Sequence, residues 1–250
     1  MIDCHFVINE PANFQKICKV YSPTIRQVIT EENFLVYRKL LTLSQEEIED
    51  EYMEKKMELS NVLTPLEYLL NSSFNNKQVE ALSIKAFEFF IHEPVSFIYE
   101  EKKILVGDLK KVLESAQSLN DLRFLTSENF FDFQNLIRNS VGEDSIDPPN
   151  PNEHPKIKKM KAKARYRDKV KAKKEGLTLD TLLISICCMG IGITPLTVGE
   201  LSYATFSKLI GVYQEKEKYE VDIRSLLAGA SSKDVKPKYW IHNSDKKRRK

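Results

Sequence analysis

Apolar residues recur at helical spacing along most of this chain. Val79, Leu82, Ala86, Phe89 and Phe90 fall three or four apart across 77–91, which predicts a helix with one side turned to a core. Phe130, Phe131, Phe133, Leu136 and Ile137 give 127–141 the same reading, and 108–116 reads as a further short helix. Start signals accompany the pattern. Ser44 with Glu47 and Thr64-Pro65 with Glu67 are capping boxes, the first opening an acidic helix to about residue 57. Ser22-Pro23 marks another start, the cap residue preceding proline in the first turn. Period-two alternation is rarer. HFVIN at 5–9 reads as a strand, and FIYEEKKILVG places two short β-prone runs around a polar turn, which predicts a small strand pair after the break at His92-Glu93-Pro94.

Pro148, Pro149, Pro151 and Pro155 then exclude a continuous helix, so the chain is expected to be extended and solvated there. Beyond the prolines, basic residues fall mostly at every second position from 156 to 174. On a helix that spacing scatters charge round the whole circumference and leaves no wide apolar face. Thr178 caps an apolar helix over 179–189, GIGITP turns the chain, and Thr197 with Glu200 reads as a capping box for a helix to about residue 222. The chain thus reads as mainly α: two helical parts joined by a Pro-rich and basic linker, with a small strand pair in the N-terminal part. The expected boundaries are 1–141 for the first part, 142–176 for the linker, 177–230 for a C-terminal helical hairpin and 231–250 for a polar, basic tail.

Charge sharpens that division. Of 38 Lys and Arg and 36 Asp and Glu, eleven bases and three acids lie in 153–175, and five bases close the chain at 246–250. The formal net charge of +2 therefore conceals an acidic body carrying two basic segments. As a nucleic-acid arm, the basic run would neutralise phosphates through residues such as Lys161, Lys163, Arg165 and Arg167. As a connector it would dock on an acidic protein surface, and as a plain linker it would stay solvated. The acid-rich stretch Glu46-Glu47 and Glu49-Asp50-Glu51 reads as a solvated helix face.

Candidate chemistry is sparse. Gly190-Ile191-Gly192 lacks the third glycine and the preceding strand of a nucleotide fingerprint, and His5, His92, His154 and His242 show neither metal nor triad spacing. Cys187-Cys188 lies in an apolar helix, where cysteine packs as a small hydrophobe, and with Cys4 and Cys18 it forms no disulfide pattern. No cofactor, metal or catalytic residue is expected. MIDCHFVINE has an acid at its third position and no apolar run, so no secretory signal is expected. The uncharged stretch 181–198 is broken by Gly190, Gly192 and Pro195, which favours a buried helix over a membrane span.

Several strings resemble the tail assembly chaperones of tailed bacteriophages, in the type found in phages of Gram-positive hosts. They are FFDFQNLIR at 130–138, PPNPNEHPKIKKMKAKARYRDKVKAK, SICCMGIGITPLTVGELSY, and YQEKEKYEVDIRSLLAGASSKDVKPKYWI, with a weaker likeness at YSPTIRQVI and TPLEYLLN. The resemblance implies a non-catalytic protein of the host bacterial cytoplasm, made during virion assembly and absent from the finished particle. Its implied partners are the apolar, helical tape measure protein, the tail tube protein recruited by a longer frameshifted form, and further copies of itself. Client-binding residues would be apolar ones on the C-terminal hairpin, such as Leu201, Phe206, Ile210 and Tyr213, although each taken singly reads first as ordinary core. The leading alternative is a nucleic-acid-binding accessory protein using the basic segments.

Overall fold

A computed structural model describes residues 4–55, 62–108, 122–150, 153–154, 157–158, 160–161, 163–165, 167, 178–231 and 235–239. It is mainly helical, with two small antiparallel sheets. The first part contains α1 (Cys4–Val7), β1 (Ala12–Phe14), β2 (Cys18–Val20), α2 (Ile25–Thr30), α3 (Phe34–Thr42), α4 (Gln45–Glu54), α5 (Pro65–Asn75) and α6 (Lys77–Ile91). It continues with β3 (Val95–Ile98), β4 (Lys103–Val106), β5 (Phe124–Leu125) and α7 (Phe130–Ser140). The second part holds α8 (Leu179–Cys188), a 3₁₀ turn at Val198–Glu200 and the long α9 (Tyr203–Leu227).

Local signals decide the central elements. The Ser44 hydroxyl accepts the Glu47 N–H while the Ser44 N–H donates to the Glu47 carboxylate, closing the capping box that opens α4. Thr64 and Glu67 do the same for α5, with Pro65 in the first helical turn. α6 spans 77–91 as its periodicity predicts and stops at His92, whose left-handed backbone (φ 55°) precedes Pro94. The predicted strand pair is β3 and β4, paired from Val95↔Val106 to Ile98↔Lys103. β5 adds a third strand through Ile104↔Leu125 and Leu105↔Phe124.

Other elements depart from the sequence reading. HFVIN forms the short α1 rather than a strand, and Phe6 within it is buried. β1 and β2 form a hairpin turned by Gln15 and Lys16, both at positive φ. The helix foreseen at 108–116 lies outside the described residues beyond Asp108. α2 begins at Ile25 behind its own capping box of Thr24 and Gln27, and α9 is capped by Ser202, whose hydroxyl accepts the Thr205 N–H. One cause moves both starts. Thr24 and Ser202 are extended and bridge the two segments, with the Ile25 N–H on the Leu201 carbonyl at 2.9 Å and the Tyr203 N–H on the Pro23 carbonyl at 2.7 Å. A helix starting at Ser22 or Thr197 would forfeit that pairing.

Two apolar clusters result. The larger stacks Phe87 on Phe133 (5.7 Å between ring centres), sets Phe14 edge-on to Phe133 (5.5 Å), and gathers Leu41, Leu69, Phe90, Ile104 and Val106 around them. Offset and edge-to-face pairs suit the aromatic quadrupole, so this ladder fixes geometry as well as burying area. The smaller joins Ile25 to Ile186, Val198 and Phe206. The second helical part is thus packed on the first. Gly142, at φ +76°, lets α9 approach closely: a Cβ there would meet the Ser207 Cβ at 2.5 Å.

The cap at α5 also carries charge. Lys102 donates to Glu67 at 2.7 Å, and this bond, then the Thr64 amide, holds the Glu67 carboxyl below its ordinary 4.5. A depressed folded pKa stabilises the protein above the unfolded value, and the contribution is lost as pH falls through the folded one. Thr64→Ala and Glu67→Gln should each lower the unfolding free energy by about 1 kcal/mol at pH 7 in urea titrations. The Glu67→Gln difference should shrink as pH falls through the depressed folded value, where wild-type Glu67 also becomes protonated.

Candidate functional site

The basic run meets α4. Every described residue from 157 to 167 is helical, and Lys158, Lys161 and Arg165, spaced by three and four, share one face. Glu46, Glu49 and Asp50 share a face of α4 by the same rule. Arg165 grips Asp50 through both arms of its guanidinium, Nε to Oδ2 at 3.0 Å and Nη2 to Oδ1 at 2.8 Å, and a third nitrogen donates to Glu46. Lys158 Nζ donates to both Glu49 oxygens at 3.2 Å, and Lys161 pairs with Glu153 at 2.5 Å. Burial works against the Arg165 charge, but Asp50 and Glu46 outweigh it and raise its pKa. Lys163 and Arg167 point away, exposed and without an ion pair among the described residues.

Approach to this clasp is well anchored. Glu143, the first residue past α7 and its turn, accepts from Arg38 Nε at 2.7 Å and from Arg138 Nη1 at 2.9 Å. Ile146 and Asn135 exchange amide bonds at 2.9 and 3.1 Å, which lays the chain back along α7 before the prolines. Residues 147–150 are then exposed and without regular structure, as their prolines require.

The C-terminal hairpin divides its apolar residues between inside and outside. Phe206 is 2% exposed and belongs to the smaller core; Leu201 and Ile210 are half-buried against it. Tyr213 is half-buried and donates its hydroxyl to Glu217 at 2.7 Å. Of the four apolar residues singled out from sequence, Phe206 is thus core, and none is fully exposed. The exposed ones are others: Ile184 on α8, Ile191 and Leu196 in the connection, and Val212, Val221 and Leu227 on α9. Leu196 and Leu227 are 88% and 84% exposed. Their signal in the sequence was an apolar residue in a Gly/Pro turn or at a helix end, where no core is available. A second apolar patch, a groove of ≈ 560 Å³, lies beside Phe74 and Tyr99 with Leu63 and Leu70 in its wall.

Reactive groups stay dispersed. All four cysteines are free, and burial, then the nearby Glu93, pushes the Cys18 thiol up to about 12. His92 stacks on Tyr21 at 4.1 Å, and burial lowers its pKa. No group of three or more His, Cys, Asp or Glu among the described residues is arranged to hold a metal. No helix among them is long and apolar enough to cross a membrane; α8, at ten residues, measures about 15 Å. Set against protein-family models, curated proteins and solved structures, the chain matches none of them.

Partly exposed ion pairs are screened as the Debye length falls from about 10 Å at 0.1 M salt to about 3 Å at 1 M. Raising salt across that range should therefore open the clasp. Trypsin cleavage after Lys158 and Arg165 should accelerate several-fold at high salt, relative to a salt-matched unstructured peptide. Arg165→Gln should show the faster cleavage already at low salt, with global stability lowered by about 1 kcal/mol or less.

Proposed function

We propose that the chain is a non-catalytic assembly chaperone, holding an apolar helical client in solution until that client is assembled. The client fitting the resemblance described above is a phage tape measure protein in the cytoplasm of a bacterial host, with tail tube protein and further copies of this chain as additional partners. One observation carries the reading: six large apolar side chains of the hairpin region, Ile184, Ile191, Leu196, Val212, Val221 and Leu227, are exposed. Single exposed apolar residues are ordinary on any surface, but their concentration along one hairpin favours a partner. The burial of such side chains against a client helix is worth roughly 25 cal/mol per Å² of apolar area removed from water. A helix laid along an apolar face is a recurring mode of such recognition.

The hairpin suits a transient hold. Its inner residues are anchored in the smaller core, so the outer ones are presented on a prefolded surface and lose little freedom when covered. The acidic character of the body, outside the basic segments, keeps a client-loaded complex dispersed.

Co-expression tests this directly. With a phage tape measure protein as client, the soluble client fraction should rise several-fold when the chain is present. Leu196→Ser/Leu227→Ser should abolish most of that gain without changing the thermal midpoint of the chain, because both side chains already face water. Phe206→Ala should instead destabilise the protein by about 3–5 kcal/mol, as expected of a buried aromatic. A client that stays insoluble with the wild-type chain, or is held equally well by the double serine variant, refutes the proposal.

A further inference from the structure

The clasp leaves two of the five described cations of the basic stretch unused. Lys158 and Arg165 turn toward α4 and Lys161 toward Glu153, while Lys163 and Arg167 lie about half a turn round the helix and are exposed, as is Met160 on the same side. Cations on opposite sides of one helix are poorly matched to a flat acidic protein surface, which meets a single face. They match a duplex groove. A helix with its side chains is about 10–12 Å across, the B-DNA major groove is about 12 Å wide, and both of its walls are phosphate. Four further bases follow in sequence at 169–174.

We propose that the basic stretch 157–167 is a duplex-DNA binding surface whose inner face is occupied in the free chain by α4, with Glu46, Glu49 and Asp50 standing where phosphates would lie. The carboxylates of α4 hold Lys158 and Arg165 at hydrogen-bonding distance, as a phosphate row would, and Glu153 holds Lys161 beside them. Each pair is partly exposed, so each contributes little singly and can be exchanged for phosphate. Exchange is favoured by the counterions that DNA releases as its phosphates are neutralised. Binding would therefore free α4 as it engages the stretch. This inference does not rest on the client-holding reading, because no residue of the hairpin takes part.

The experiment is fluorescence-anisotropy titration of a random-sequence 20-base-pair duplex with the full chain across a salt series. Lys163→Gln/Arg167→Gln should weaken binding about tenfold at low salt and reduce the slope of log affinity against log salt by roughly two, one for each lost phosphate contact. Glu46→Gln/Glu49→Gln/Asp50→Asn removes the internal competitor and should tighten binding at least about threefold beyond a charge-matched control, Glu32→Gln/Glu100→Gln/Glu128→Gln. Circular dichroism of each variant establishes that it is folded, and Leu196→Ser/Leu227→Ser should bind duplex as wild type does. The proposal is overturned if the outer-face variant binds as tightly as wild type, or if the α4 variant gains no more than its control. It is equally overturned if polyglutamate at matched charge competes as well as unlabelled duplex, which would make the stretch a dock for acidic protein.

Discussion

One buried hydroxyl ties the ends of this fold together. Ser22 donates to the Ser140 carbonyl at 2.6 Å and accepts the Ala204 N–H at 3.3 Å, so the last residue of α7 and the start of α9 meet at the same atom. Ser202 donates to the Phe6 carbonyl at 2.8 Å beside it, adding the first helix to the knot. Residues 141–203 therefore form a loop whose two ends are held at one point. A loop closed this way tethers its cationic stretch at both ends, which raises the effective concentration of that stretch at α4. Ion pairs that would be negligible between separate molecules become a persistent contact through this tethering.

The same closure decides which apolar residues are core. Tyr203 packs against both clusters, Ala204 belongs to the larger and Phe206 to the smaller, so the first turns of α9 are the wedge between them. Beyond those turns the helix runs on toward Leu227, about 37 Å in all, with only limited cover from Tyr239, which packs edge-on to Tyr219 at 5.5 Å. An apolar residue on the wedge is structural, whereas beyond it half-buried residues such as Ile223 and Leu226 alternate with exposed ones. That is why Phe206 is interior while Val212, Val221 and Leu227 are exposed, although all four belong to one helix.

Signals that act within a few residues were legible, and signals that act across the chain were not. Ser44 with Glu47, Thr64 with Glu67, the periodicity of α6 and the β3–β4 hairpin were readable because the atoms that satisfy one another lie within about ten positions. The β1–β2 hairpin escaped notice because its turn uses Gln15 and Lys16 at positive φ, where glycine or asparagine is the usual mark. Thr197 and Glu200 resemble a helix start but give only a 3₁₀ turn, because Leu201 and Ser202 must stay extended to pair with residues near Thr24. At the site, the acidic stretch read as a helix face, but the basic run read as charge scattered round the whole circumference, so the face shared by Lys158, Lys161 and Arg165 was not singled out. The pairing of the two was not legible either, since Asp50 and Arg165 are brought together by tertiary closure alone.

The two surfaces respond differently to solvent, which bears on how one chain can carry both. The clasp is made of partly exposed charges, so salt and competing anions weaken it. Any partner covering the exposed apolar residues of the hairpin would be held by apolar burial, which simple screening leaves intact and which salts excluded from the protein surface strengthen. Opening the clasp leaves the hairpin anchored, because its attachment runs through Ser22, Ser202 and the Phe206 cluster rather than through the basic stretch. The fold thus separates an ionic contact that can be exchanged from an apolar platform that stays fixed, and the separation follows from where the loop 141–203 is closed.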